Sequence, residues 1–103
     1  MQTALFQILV MLGQGPAEAT VIRERLRLRG DHLDIPSIPA FYRHLKSGID
    51  EGWIEVRGQA PGERARGRPS QLYALSKAGR RALRQRATWL QKLSRLALES
   101  SGR

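Results

Sequence analysis

The sequence contains no cysteine, and this absence excludes several kinds of chemistry at once. Disulfides, zinc sites built on thiolates and thiol nucleophiles all need cysteine, and a chain without disulfides fits the reducing cytosol. Long apolar runs are missing too. The stretch from Ala4 to Leu12 is interrupted by Gln7 and is much shorter than the about 20 residues that span a bilayer. We therefore expect a cytoplasmic protein with no membrane association.

A secretory leader is the other interpretation of the apolar N-terminal stretch. Residues 17–19 (AEA) resemble the small-x-small cleavage pattern of such a leader, but no Lys or Arg precedes Arg23. A leader normally begins with a positively charged segment. We therefore predict that this stretch is a helix of the core.

Acidic residues are scarce in the second half of the chain. Residues 1–51 hold six basic and six acidic residues, whereas residues 52–103 hold twelve basic residues against Glu55, Glu63 and Glu99. The second half therefore carries the whole net charge of +9. Such a concentration of positive charge predicts a polyanionic partner, of which nucleic acid is the commonest.

Catalytic patterns are absent from the sequence. His32 and His44 fall on different predicted elements without a carboxylate cluster, and neither a phosphate-binding glycine loop nor a nucleophile elbow occurs. We predict no enzymatic activity, no metal site and no cofactor.

The order of predicted elements is simple, and 103 residues leave room for one domain. Helical spacing predicts a first helix through Leu12, a second from about Val21 to Arg29, and a third capped by Ser37 with Pro39 in its first turn. Residues 53–57 and 71–75 alternate as two strands around a loop rich in Gly, Pro and Arg. A last helix runs from Lys77.

This order predicts a mainly α (α+β) fold, a winged helix-turn-helix with a C-terminal dimerisation helix. The third helix enters the major groove, and the hairpin is the wing. We expect residues 1–76 to form the DNA-binding domain, residues 77–99 the dimerisation helix and residues 100–103 a flexible tail.

Several short motifs give the chain a resemblance to a known family. They are GP at 15–16, FYxxLK at 41–46, EGWI at 51–54, GRP at 67–69 and YxLSKAGRRAL at 73–83. In this order and spacing they resemble the PadR-like transcriptional regulators, in the smaller subclass with a single C-terminal helix. The resemblance implies a homodimeric DNA-binding repressor. The chain departs from the family pattern at two scaffold positions, residues 19–20 (AT) and 48–49 (GI).

The candidate DNA contacts lie on the third helix and on the wing. On the helix they point away from the predicted buried face of Phe41, Leu45 and Ile49, and on the wing they are arginines that suit phosphates and narrow minor grooves. Tyr42 has the alternative of packing inward. The full set is Ser37, Tyr42, Arg43, Lys46, Arg57, Arg64, Arg66 and Arg68. We expect the wing loop to become ordered on binding DNA.

The last helix carries an apolar stripe that is too broad for an isolated surface helix. Pairing with a second copy would bury the stripe and would match two-fold symmetric half-sites on DNA. The basic residues would then face outward, and those of the first turns are candidates for phosphate contacts. The predicted dimer interface consists of Leu83, Ala87, Trp89, Leu90, Leu93, Leu96 and Ala97.

Two questions stay open at the level of sequence. Some relatives in the resembled family bind flat aromatic compounds between tryptophans at the dimer interface, so Trp89 is either an interface anchor or a contact for a small aromatic effector.

The chain as a whole is either a sequence-specific regulator or a winged-helix protein-interaction module, for example an antirepressor or a replication accessory. A wing used for protein contact should be less basic and more apolar.

Overall fold

The fold is taken from a computed structural model, which describes residues 1–30, 35–59 and 71–101. Along the chain these residues form α1 (Thr3–Leu12), β1 (Ala17–Glu18), α2 (Ala19–Leu28), α3 (Ile38–Asp50), β2 (Ile54–Gln59), β3 (Gln71–Leu75) and α4 (Lys77–Ser101). The predicted order of three helices, a two-stranded hairpin and a final helix is confirmed. Of the described helices, none has the length and apolar character that crossing a membrane requires.

A third strand completes the sheet and was not predicted from the sequence. β1 pairs with β3 through Ala17 opposite Tyr73 and Glu18 opposite Leu72, so the strand order is β1-β3-β2 and all pairs are antiparallel. The first two residues of the cleavage-like pattern thus form a strand, the third begins α2, and Ala17 is buried in the core. A strand of two residues gives no alternation that a sequence pattern could detect.

The wing hairpin is irregular at the loop end of its paired strands. The pairing of β2 with β3 shifts register between Val56 and Gln59, and Gly58 in that interval has a φ of 69°. A bulge with a glycine in the left-handed region is a common way to insert one extra residue and to increase the local twist. Gly58 therefore changes the local twist at the end of β2.

The core lies where the three N-terminal helices meet the sheet. Its largest fully buried side chains are Phe41, Ile8, Leu9, Ile22 and Leu26. Leu45 is buried as predicted and Ile49 partly so. α2 buries a narrow stripe centred on Ile22 and Leu26, and Val21 is 41% exposed.

A glycine in the middle of α3 has a packing reason. A Cβ added at Gly48 would lie 2.5 Å from Cδ1 of Ile54 and 3.2 Å from Cδ1 of Leu5. Gly in a helix interior costs about 1 kcal/mol relative to Ala, but here it lets β2 approach α3 closely. This departure from the family pattern therefore brings the wing against the third helix.

The start of α4 is fixed to the base of the wing by hydrogen bonds around Ser76. The Ser76 backbone N–H donates to the Trp53 carbonyl at 3.0 Å, and the Ser76 hydroxyl donates to the Gly52 carbonyl at 2.5 Å. The same hydroxyl accepts from the Gly79 N–H at 2.9 Å, which is the role of a helix N-cap. Ser76 therefore both begins α4 and joins it to β2.

Gly79 has no room for a side chain, because a Cβ there would collide with the carbonyl group of Trp53. Helix propensity alone predicts that Gly79→Ala stabilises the protein by about 1 kcal/mol. We expect the opposite, a loss of about 2–3 kcal/mol, since the obstacle is backbone and cannot move aside as a flexible side chain would. Thermal unfolding monitored by circular dichroism measures the sign. A raised midpoint would mean that α4 does not press against Trp53.

Only the first part of α4 packs against the domain. Gly79 is buried and Ala82, Leu83 and Arg86 are partly buried, whereas every residue from position 87 to 101 is exposed. A helix of 25 residues is about 37 Å long, which agrees with overall dimensions of 59 × 28 × 21 Å. The helix also continues two residues into the segment predicted as a tail. More than half of α4 thus extends away from the core.

Candidate nucleic-acid interface

α3 begins at a capped end with an exposed face. The Ser37 hydroxyl accepts a hydrogen bond from the Ala40 N–H at 3.3 Å, as the sequence predicted, and Pro39 lies in the first turn. Ser37 is itself exposed. The hydroxyl oxygen accepts the hydrogen bond that caps α3, and the O–H proton can still be donated to an outside acceptor such as a phosphate.

Tyr42 lies at the boundary between α3 and the sheet. Its ring is 44% exposed and stands almost perpendicular to the ring of Phe41, with 5.2 Å between the centroids. Burial raises the pKa of the Tyr73 phenol on β3, and the neighbouring Tyr42 adds to the rise. Tyr42 is therefore neither inward-facing nor isolated, because its ring packs against Phe41 and the residue stays exposed.

Arg43 and Lys46 occupy the exposed side of α3, opposite Phe41 and Leu45. Lys46 Nζ lies 3.1 Å from Asp50 Oδ2, one turn further along, with both side chains mostly exposed. Arg43 forms no ion pair with any residue in the described ranges. Arg43 is thus available to a ligand, whereas Lys46 has a competing carboxylate.

Asp50→Asn is expected to strengthen DNA binding. An exposed ion pair is worth at most about 1 kcal/mol, so removing the competing carboxylate should raise affinity by up to about 5-fold. It should also steepen the salt dependence by up to about 1 unit if Lys46 then meets a phosphate. Fluorescence anisotropy on a labelled duplex measures both. In a Lys46→Gln background the gain should vanish; a gain that persists there would mean that Lys46 is not the residue released.

On the wing, Arg57 is held by a neighbour on the same strand. Its Nε donates to Glu55 Oε1 at 3.2 Å, and both side chains are about half exposed. Residues i and i+2 of a strand share a face, so the pair lies along the edge of the hairpin. Arg64, Arg66 and Arg68 lie outside the described residues, and their role stays a prediction.

The arginines of α2 look alike in the sequence, at positions 23, 25, 27 and 29, but they serve different purposes. Arg25 Nη1 donates to the carbonyls of Met11 at 2.9 Å and Gly15 at 3.0 Å, so it caps the C-terminal end of α1. Arg27 pairs with Glu24, and this hydrogen-bonded pair lowers the pKa of Glu24. Arg29 ends the helix and is exposed.

Arg29 is a candidate contact that the sequence analysis missed. In helix-turn-helix proteins the helix before the recognition helix crosses the phosphate backbone. Its position at the predicted end of α2 could have indicated this role. The alternating arginines of α2, however, do not show from sequence which of them contacts the protein and which faces solvent.

The predicted interface residues of α4 divide into two groups. Leu83 packs against the core of its own chain, whereas Trp89, Leu90, Leu93 and Leu96 are between 37% and 59% exposed. Ala87 and Ala97 are exposed as well. Six of the seven predicted residues therefore lie on the projecting part of α4.

Trp89 has a partner within its own helix. The guanidinium carbon of Arg86 lies 5.0 Å from the centroid of the Trp89 ring, while Arg86 Nη2 donates to the Met1 carbonyl at 2.9 Å. A cation over the ring face stabilises the ring in one orientation. Trp53, Met1 and Ala82 line the same shallow groove as Arg86 and Trp89.

His44 is partly buried on α3, and His32 lies outside the described residues. Within the described ranges, no three His, Asp or Glu side chains come together in a way that could hold a metal ion.

Comparison with known proteins gives similarity in structure and not in sequence. No protein-family model and no curated protein matches the chain. A PadR family transcription regulator from Clostridium difficile is similar with a TM-score of 0.78 and 14% identity, over 95% of this chain and 97% of that one. A transcriptional regulator from Clostridium thermocellum has a TM-score of 0.76 at 17% identity, over 93% and 87%.

A third similar structure contains nucleic acid. It is Bacillus subtilis PadR in complex with operator DNA, with a TM-score of 0.70 and 22% identity over 86% of this chain and 47% of that one. These neighbours confirm the predicted fold class and the resemblance at the level of fold: the chain has the winged-helix fold of the PadR-like regulators, with a C-terminal helix.

Proposed function

We propose that this chain is a sequence-specific transcriptional regulator that binds double-stranded DNA as a homodimer and acts as a repressor. The observation that carries the proposal is the exposed face of α3, which presents Tyr42, Arg43 and Lys46 next to the wing. Arg and Tyr at such positions reach base edges and phosphates when the helix enters the major groove.

The neighbour with operator DNA supports this proposal. That structure holds a PadR protein bound to operator DNA, and its fold is similar to the fold of this chain. Because fold alone does not fix function, the residues of the site carry the proposal. Here they are cations on α3 and on a wing whose loop sequence holds Arg64, Arg66 and Arg68 against one acid.

Dimerisation through α4 is part of the proposal. A helix that leaves its domain with Trp89, Leu90, Leu93 and Leu96 exposed has a surface that a second copy can bury. A two-fold dimer would place two α3 helices on half-sites about one helical turn of DNA apart. We therefore expect a pseudopalindromic operator.

A protein-interaction module remains the competing proposal, and one observation favours it. Val56 on the wing strand is 43% exposed and gives the hairpin an apolar position. The surrounding charge argues for DNA, because a protein-binding wing would not need this excess of arginine.

For Trp89 we propose the role of interface anchor. The Arg86 guanidinium already covers one face of its ring, so a flat aromatic effector would have to displace this cation or use the other face. An effector remains the second candidate, and quenching of Trp89 fluorescence by aromatic compounds would test it. In either case we propose a non-catalytic, cytoplasmic protein, since its target is DNA.

The test is binding to the DNA upstream of its own gene, footprinted and titrated with salt. The proposal predicts a protected pseudopalindrome, and affinity at least about 1,000-fold above that for a scrambled duplex. The affinity should fall steeply with salt, because phosphate contacts release counterions. Equal, weak binding to both duplexes at every salt concentration would favour the protein-interaction module.

A further inference from the structure

The outward face of α4 carries a row of cations that the proposed function does not use. All of its members are exposed, and none forms a salt bridge with a residue in the described ranges. No Asp or Glu interrupts the helix sequence before Glu99. The row, called here the α4 basic face, consists of Lys77, Arg80, Arg81, Arg84, Lys92 and Arg95.

The helix itself is destabilised by this arrangement. The N-terminus of a helix carries partial positive charge, so cations are favoured in the last turn and disfavoured in the first. α4 has the reverse order, with Lys77 and Arg80 at its start and no basic residue in its last turn. Lys77, Arg80, Arg81 and Arg84 also repeat at spacings of three and four, where like charges repel.

The basic face is separate from the rest of the protein's contacts. Arg86, on the opposite side of the helix, turns toward the Met1 carbonyl and the Trp89 ring. The apolar stripe around Leu90 and Leu93 lies on that same side. Trp89 borders the basic face, since it lines one pocket with Arg81, Arg84 and Lys92. Pairing of two copies through Leu90 and Leu93 still leaves Lys77, Arg80 and Arg84 in solvent.

We propose that the α4 basic face is a second DNA-binding surface, which holds the phosphate backbone of a duplex segment other than the one under α3. From Lys77 to Arg95 the row extends about 27 Å along the helix axis. A duplex offers one phosphate charge per about 1.7 Å of its axis, so a row of this length spans roughly 8 base pairs and meets phosphates wherever a backbone crosses it. Bound phosphates would relieve both the repulsion within the row and the unfavourable interaction with the helix dipole.

A duplex fits this surface better than an anionic membrane does. A membrane-surface helix inserts its apolar face below the headgroups. In the first turns of α4 that face is occupied, because Gly79 and Leu83 pack against the domain. Only the cations are exposed in these turns, and ion pairs with cations are sufficient to hold the phosphates of a duplex.

The two proposed DNA surfaces lie on different helices, α3 and α4. α1 contacts both α3 and α4. The basic face points away from the contact of α4 with the core, and Arg43 and Lys46 point away from the contact of α3 with the core. The inference goes beyond the proposed function, because it gives the protein a means of holding two DNA segments together.

The test begins with a variant that lacks the first surface: Arg43, Lys46, Arg64, Arg66 and Arg68 are all replaced by Gln. We expect this variant to keep salt-dependent binding to a random 20-base-pair duplex, with loss of footprinting. Adding Arg80→Gln, Arg81→Gln and Arg84→Gln should lower the remaining affinity by at least about 10-fold and flatten the salt slope by about 3 units.

Matched variants separate charge from structure. Arg80→Lys, Arg81→Lys and Arg84→Lys in the same background should retain the affinity, since a point charge suffices for a phosphate. In the otherwise native protein the three Gln substitutions should raise the thermal midpoint, because repulsion is relieved, and should leave the footprint in place. A loss of footprint would show instead that these residues serve the first surface.

Two results would overturn the second surface while leaving the proposed function intact. One is complete loss of duplex binding in the five-residue variant. The other is residual binding that the three Gln substitutions do not change. Vesicles containing phosphatidylserine provide the remaining comparison: binding to vesicles but not to the duplex, abolished by the same three substitutions, would assign the face to a membrane.

Discussion

Replacing Leu90 and Leu93 with Asp is expected to convert the protein into monomers and to weaken operator binding by at least about 100-fold. Both side chains are more than one third exposed in the single chain, and they belong to the part of α4, from position 87 to 101, in which every residue is exposed. In a dimer each carboxylate would be buried against an apolar partner. Such burial costs several kcal/mol unless the group is protonated.

The loss of DNA affinity follows from the loss of pairing. A dimer that has bound one half-site binds the second as an intramolecular event, at an effective concentration far above that of free protein. A monomer has only one α3 and loses this advantage. Binding to a single half-site should therefore be almost unchanged, while binding to the full operator should fall.

Because Leu90 and Leu93 are exposed, their replacement should prevent pairing without unfolding the chain. Because neither is in the core, the variant should keep its circular dichroism spectrum and its cooperative unfolding. Thr88→Asp with Gln91→Asp adds the same charge within the α4 basic face, away from Leu90 and Leu93, and should remain dimeric; it is a control for pairing and not for DNA binding. Sedimentation decides the matter: an 11.6 kDa monomer of the native protein at tens of micromolar would exclude the dimer and with it the symmetric operator.

The sequence predicted most of the fold because its signals were local. Ser37 as N-cap, the spacing of Phe41 and Leu45, and the alternation of the two long strands each depend on residues a few positions apart. Local signals of this kind are set by backbone geometry, and they persist unless tertiary packing opposes them. The apolar stripe of α4 was visible for the same reason.

What could not be predicted depends on contacts between distant parts of the chain. The Arg25 side chain on α2 donates to the Met11 carbonyl at the end of α1, 14 positions earlier. The Ser76 hydroxyl donates to the Gly52 carbonyl, 24 positions earlier. Nothing in the spacing of arginines distinguishes Arg25 from its neighbours. From sequence, Gly79 is only a residue with poor helix propensity. The structure shows that the Trp53 carbonyl leaves no room for a side chain at this position.

The charges of the candidate site show the same limit. Sequence placed Lys46 and Arg57 among the DNA contacts, and both are exposed. The structure adds that each has a carboxylate partner, Asp50 and Glu55, which must be displaced or shared when a phosphate binds. Exposed pairs of this kind are weak, so they moderate the interaction with DNA and do not prevent it.

The wing arginines are expected to contribute a large share of the affinity for any DNA sequence. Replacing Arg64, Arg66 and Arg68 together with Ala should flatten the salt dependence by about 3 units per protomer, if each meets one phosphate. At 0.1 M salt the same loss corresponds to about two to three orders of magnitude in affinity per protomer. The effect should be nearly equal for operator and random duplexes, because phosphates are the same in both.

A matched set of lysine substitutions distinguishes two ways in which these arginines could act. Lysine keeps the charge, so the variant with three lysines should recover the salt slope if the wing only follows the backbone. If the wing enters a narrow minor groove, lysine should recover the slope and still lose preference for the operator, since that groove attracts arginine more strongly. Titration of both variants on operator and random duplexes at matched salt measures the two effects. Unchanged affinity and slope in the alanine variant would remove the wing from the DNA interface and leave recognition to α3.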